Sequence, residues 1–121
     1  MTDESKPVYE AIAELTPDQI EECIERNDPR ELLYAVLSAA LYSEDRAFAE
    51  NVCIRLAGHE HFNVRGNALL GFAHIARIDE RLNEHEVRPL IERGLTDPDK
   101  FVRGQAEDAR DDIENFLGWK F

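Results

Sequence analysis

The sequence predicts an all-α chain, a short α-α superhelix (solenoid) of about three antiparallel helix pairs. Three observations lead there. The phrase Val64-Arg65-Gly66-Asn67-Ala68 returns as Val102-Arg103-Gly104-Gln105-Ala106, an offset of 38 residues, and a fixed period of that size marks stacked supersecondary units. Cap-and-proline signals stand before apolar stretches at Thr16-Pro17-Asp18-Gln19, Asp28-Pro29-Arg30-Glu31 and Asp97-Pro98. No stretch sustains an apolar/polar alternation, and no Asn-Gly or Asp-Gly pair signals a hairpin.

The elements follow in order. Residues 1–15 form a lead-in segment, in which Val8, Tyr9, Ile12 and Leu15 keep helical spacing. Thr16 caps the first helix, Pro17 suits its first position and Gln19 completes a capping box. Ile20, Cys23 and Ile24 share one stripe, and the helix ends near Asn27. Asp28 and Pro29 open a second helix through Leu32, Leu33, Val36, Leu37, Ala40 and Leu41, packed antiparallel to the first because the connection is so short. Ser43 is expected to cap a third helix carrying Phe48, Val52, Ile54 and Leu56, with Gly58 as its stop.

After His59-Glu60-His61 a fourth helix places Val64, Ala68, Phe72 and Ile75 on one face. Asn83 with Glu86 opens a fifth, which Pro89 shortens or kinks and Gly94 closes. Asp97-Pro98 opens the sixth, burying Val102, Ala106, Ala109, Ile113 and Phe116. The apolar tail through Trp119 and Phe121 folds back as an end cap. The helix pairs are 16–42, 43–78 and 83–117, within a single domain over 16–121.

Composition narrows the function. The chain carries 26 acids against 14 Lys and Arg, a net charge of −12. That field repels phosphate backbones and anionic lipid, which argues against nucleic acid and membrane surfaces as partners. It would speed association with a basic protein, or serve solubility alone. No apolar run is long enough to span a bilayer, and the first seven residues lack the basic start and apolar core of a secretory signal, so a cytoplasmic location is expected. Cys23 and Cys53 stand outside any C-x-x-C motif and are expected to be reduced core thiols.

Two helix pairs carry a resemblance. Ile91, Leu95, Asp97-Pro98-Asp99, Val102-Arg103 and Ala106, together with Leu56, Val64-Arg65 and Ala68, are similar to the HEAT-repeat superfamily. The resemblance covers residues 43–117, and residues 16–42 by helix length only. The middle pair has His59-Glu60-His61 where the last has Asp97-Pro98-Asp99, and the first pair lacks Val-Arg, as an end repeat can. It implies stacked pairs that share one core. Arg65 and Arg103 are expected to pair with turn acids such as Asp97 or Asp99, or with carbonyls between repeats. Gly66 and Gly104 imply close packing or a nearby turn.

No catalytic constellation is found. His59 and His61 flank Glu60 in a turn, too few ligands for zinc, and no metal site or cofactor is expected. Ser5, Ser38 and Ser43 lie in no nucleophile elbow, and no phosphate loop occurs. In stacked pairs the second helices line the concave surface. That analogy offers Tyr34, Ser38 and Tyr42, then Asn67, Leu70 and His74, then Gln105, Asp108 and Asp112. In the last helix Glu107, Asp108, Asp111, Asp112 and Glu114 stand against Arg110 alone, as a solvated face or as a docking face for Lys and Arg. The expected partner-binding set is therefore Tyr34, Tyr42, Asn67, His74, Asp108, Asp111 and Asp112; the two tyrosines read equally as half-buried core. The reading is a non-catalytic protein-binding module, in its sharpest form an acidic immunity protein that neutralises a basic toxin such as a nuclease. A general scaffold or adaptor is the second reading, and a pigment-lyase-type or other enzyme of HEAT-like fold the third.

Overall fold

The computed structural model describes residues 13–121. Among these, six helices follow one another and no strand occurs: α1 (Pro17–Arg26), α2 (Pro29–Tyr42), α3 (Arg46–Leu56), α4 (Phe62–Asp79), α5 (Glu84–Leu95) and α6 (Lys100–Leu117). The protein is all-α. Val8, Tyr9 and Ile12 of the expected lead-in lie outside the described residues. Leu15 is half-buried, and its backbone N–H donates to Ser38 Oγ at 2.8 Å.

Local chemistry sets the helix starts. Thr16 Oγ1 accepts from the Gln19 N–H at 3.2 Å while Gln19 Oε1 accepts from the Thr16 N–H at 2.8 Å, a closed capping box. Asp28 caps α2 through the Arg30 N–H at 2.9 Å, and Asn83 caps α5. Four expected boundaries move. Asp45, not Ser43, caps α3: its carboxylate accepts from the Phe48 N–H, whereas Ser43 ends α2 and exchanges hydrogen bonds with the Asp45 backbone. Asp99 rather than Asp97 caps α6, because the Asp97 carboxylate is taken by Arg65. Gly94 does not close α5, which runs on to Leu95 and continues through Pro89 without the bond that a proline cannot donate. Likewise α3 ends at Leu56 with Ala57 as its cap, before Gly58.

One core runs through all six helices. α4 packs against α2 on one flank and α6 on the other, while α1, α3 and α5 pack respectively on α2, on α2 with α4, and on α6 with α4. Phe72, Val64, Ala68 and Ile75 of α4 are fully buried at its centre. Phe116, expected in the core, is 41% exposed. Cys23 and Cys53 are free and buried, and burial pushes the Cys53 thiol up to about 12. The tail folds back on α5, where the Arg88 guanidinium carbon lies 5.7 Å from the Trp119 ring centre and 4.7 Å from that of Phe121.

The glycines mark where helices close in. A Cβ on Gly66 would fall 2.6 Å from Phe101 Cε2, so α4 meets α6 there. A Cβ on Gly94 would fall 2.5 Å from Leu69 Cδ1 and 2.9 Å from Ala106 Cβ, where α5, α4 and α6 converge. The counterpart of Gly66 in the repeated phrase, Gly104, meets nothing within 4 Å. Opposite signs follow in urea denaturation. Gly94→Ala should cost about 1–3 kcal/mol, because Ala106 Cβ cannot retreat without its helix. Gly104→Ala should gain about 0.5–1 kcal/mol from helix propensity alone. Two midpoints shifted in the same direction would contradict this assignment.

Candidate functional site

Hydrogen bonds between successive helix pairs hold the scaffold of the site. Arg65 Nε and Nη2 donate to both oxygens of Asp97 at 2.8 and 3.0 Å, and its Nη1 donates to the carbonyls of His59 and Glu60 at 2.9 and 3.2 Å. This fork joins the turn before α4 to the turn before α6, and the guanidinium holds the Asp97 carboxyl below its ordinary value. Arg103 makes the carbonyl half of the same pattern, to Asp97 and Pro98 at 2.8 and 3.0 Å. Glu50, buried on α3, accepts from Arg46 at 2.6 Å and from the Asn83 N–H at 3.0 Å. Arg55 of α3 pairs with Glu21 of α1 through two bonds of 2.7 and 3.1 Å.

The histidine turn serves the same purpose. His59 Nε2 lies 2.7 Å from Asn27 Oδ1, tying the turn before α4 to the turn before α2, and His61 caps α4. His59 and His61 are thus half-buried structural residues rather than a solvated turn. Burial lowers the His59 pKa. Among the described residues, no group of three or more His, Cys, Asp or Glu converges to hold a metal ion.

An apolar groove of about 370 Å³ opens across the neighbouring helices α2, α4 and α6. Leu33 and Leu37 come from α2, Asn63, Asn67, Leu70 and His74 from α4, and Phe101 and Gln105 from α6. Each of the three second helices contributes and none of the first helices does. Polar atoms at its wall are already oriented: the Asn67 amide donates to the Asn63 carbonyl at 2.8 Å and to the Asn63 side-chain oxygen at 3.1 Å. Arg77 Nη2 lies 3.4 Å from His74 Nδ1. Burial first, then the Arg77 charge, lowers the His74 pKa to about 4, so its imidazole is neutral at pH 7. A smaller depression lined by Tyr34, Arg30 and His61 shares Leu33 and Asn63 with the groove and extends it to the start of α2.

Comparison of the chain with protein-family models, with curated proteins and with solved structures finds no match. The geometry alone therefore carries the functional reading.

The expected partner-binding set divides. Asn67 and His74 line the groove, and Tyr34, 47% exposed, stands at its extension. Phe101, Gln105, Asp108 and Asp112 follow at four-, three- and four-residue steps on α6, so both aspartates continue the groove wall as exposed carboxylates. Asp111 turns away from the groove and lies beside Arg110, whose Nε is 3.1 Å from it. Tyr42 belongs elsewhere: it is 38% exposed beside Leu15, Ile20 and Phe48, at the α1–α3 end. Ser38, offered by the same analogy, is buried and accepts the Leu15 N–H. The groove floor also contains residues that were not expected there. Leu33 and Leu37 read as core, and Leu37 is indeed buried while it also lines the groove; helical spacing cannot separate a core stripe from an apolar groove beside it. Phe101 is one residue off the Val102 stripe, and its position beside the repeated phrase was the available signal.

Proposed function

We propose that this protein is a non-catalytic binding domain of HEAT-like α-α superhelical architecture that holds a basic protein. In its sharpest form it is an immunity protein that binds and neutralises a basic toxin. The observation that carries the reading is the groove itself. Leu33, Leu37, Leu70 and Phe101 make an apolar floor from three helices, Tyr34 stands at one end and the carboxylates Asp108 and Asp112 flank the α6 wall. A desolvated apolar centre with aromatic anchors and a charged rim is the anatomy of a protein interface. The net charge of −12 would steer a basic partner toward it, most strongly at low salt.

The test is an affinity capture from the source cell extract at low and moderate salt, read by mass spectrometry. One basic protein retained stoichiometrically is the expected result. Asp108→Lys with Asp112→Lys should weaken that complex by about 10- to 100-fold, mostly by slowing association. A diverse set of weakly held proteins would replace this reading by that of an adaptor, and the acidity would then serve solubility.

A further inference from the structure

The 38-residue period maps α4 onto α6 residue by residue, and the two helices differ in one systematic way. On the side of α4 that carries Gly66, helical spacing places Leu69, Leu70, Ala73 and Ala76. α6 packs on that side: Phe101 and Gln105 lie over Gly66, while Leu69 reaches Gly94 of α5, which also meets Ala106 of α6. One period later the same positions on α6 hold Glu107, Asp108, Asp111 and Glu114, all four exposed. The glycine persists as Gly104, and nothing stands where the Phe101 ring stands over Gly66. The arginine persists too. Arg65 has its carboxylate partner in Asp97, whereas Arg103 bonds only to turn carbonyls among the described residues.

We propose that the outer face of α6, the open position next in the repeat, is the docking face for a basic helix of another protein. Two arguments commit the face to that occupant. The α4–α6 interface shows what the geometry accepts: a carboxylate on the arginine fork and, four residues later, an aromatic ring over the glycine, as Asp97 and Phe101 supply to Arg65 and Gly66. Charge then selects the partner. Four carboxylates where α4 has four apolar residues favour Lys and Arg at successive turns of the incoming helix, and disfavour a second copy of this acidic chain. The placement rests on the reading of the protein as a binder of basic proteins, and adds where and by which element the partner is held. Asp108 borders both this face and the groove, so one partner can grip α6 from two sides.

The test uses the full chain and a synthetic helical peptide of about 14 residues. The peptide carries Asp near its start, Phe four residues later and Lys at successive turns beyond; a control has the same composition in scrambled order. The ordered peptide should bind about tenfold more tightly than the scramble, with the largest amide shifts at Gly104 and its α6 neighbours. Gly104→Leu fills the open position without a steric neighbour and should erase that preference while leaving helix content intact. Asp111→Lys should weaken the ordered peptide more than the scramble. Equal binding of the two peptides, indifference to Gly104→Leu, or shifts confined to the groove would overturn the proposal; so would a wild-type dimer that Gly104→Leu dissolves. A basic protein captured from extract and held equally by Gly104→Leu would remove this face while leaving the proposed function standing. Ordered-peptide binding that Gly104→Leu erases, with no basic protein captured, would do the reverse.

Discussion

Replacing Glu107→Leu, Asp108→Leu, Asp111→Ala and Glu114→Ala together is expected to make the protein associate with itself. These substitutions give α6 the residues that α4 uses at the same positions to pack against its neighbour. Each buried leucine contributes about 1.5–3 kcal/mol, and four carboxylates that repel a second copy are removed. Since the new apolar face is identical on every copy, the expected product is a two-fold dimer through α6. Sedimentation should show the mass doubling at micromolar concentration with helix content unchanged. A variant that sediments like wild type would mean that the outer face of α6 does not reproduce the packing surface of α4.

The helix starts were legible where one side chain did the capping with no rival. Thr16, Asp28 and Asn83 act through bonds to residues two or three positions away, and such chemistry is visible in any window of the chain. The starts of α3 and α6 were not, because two capable residues stand two apart in each case. The choice between Asp97 and Asp99 is made by Arg65, which lies 32 residues away and claims the first of them. The groove was legible to the extent that it depends on helical phase. Asn67, His74 and Gln105 line it where the period puts them. Tyr42 lies apart from the groove because its surroundings are α1 and α3 rather than the α4 side of α2. Leu33, Leu37 and Phe101 were hidden for a related reason. Whether an apolar side chain closes a core or floors a groove depends on which helix lies opposite, and no single stretch of sequence carries that information.

Arg65→Ala and Arg103→Ala, substitutions at equivalent positions, should have very different costs. Arg65 loses four bonds, two of them to a carboxylate whose side chain is only 11% exposed, and Asp97 is left half-buried without its cation. The expected destabilisation is about 2–3 kcal/mol, just below the range for breaking a fully buried pair, because both side chains keep a little solvent. Arg103 loses two bonds to carbonyls of its own turn, worth about 1 kcal/mol. Urea denaturation at pH 7 measures both, and acid separates their causes. The donated bonds of Arg65 are the main reason that the Asp97 pKa is lowered in the folded protein, with the Asp99 N–H adding to it. A carboxyl with a depressed folded pKa contributes stability above its unfolded value of about 3.9 and loses it as the pH falls through the folded value. The gap between wild type and Arg65→Ala should therefore narrow below about pH 4 toward the part owed to the two carbonyls, while the Arg103→Ala gap should change much less, since its bonds go to carbonyls that do not titrate and its charge is the smallest of the causes that lower the Asp97 pKa. A gap for Arg65→Ala that is flat across that range would show that its bonds to the His59 and Glu60 carbonyls of its own turn, rather than the ion pair with Asp97, carry its contribution to stability.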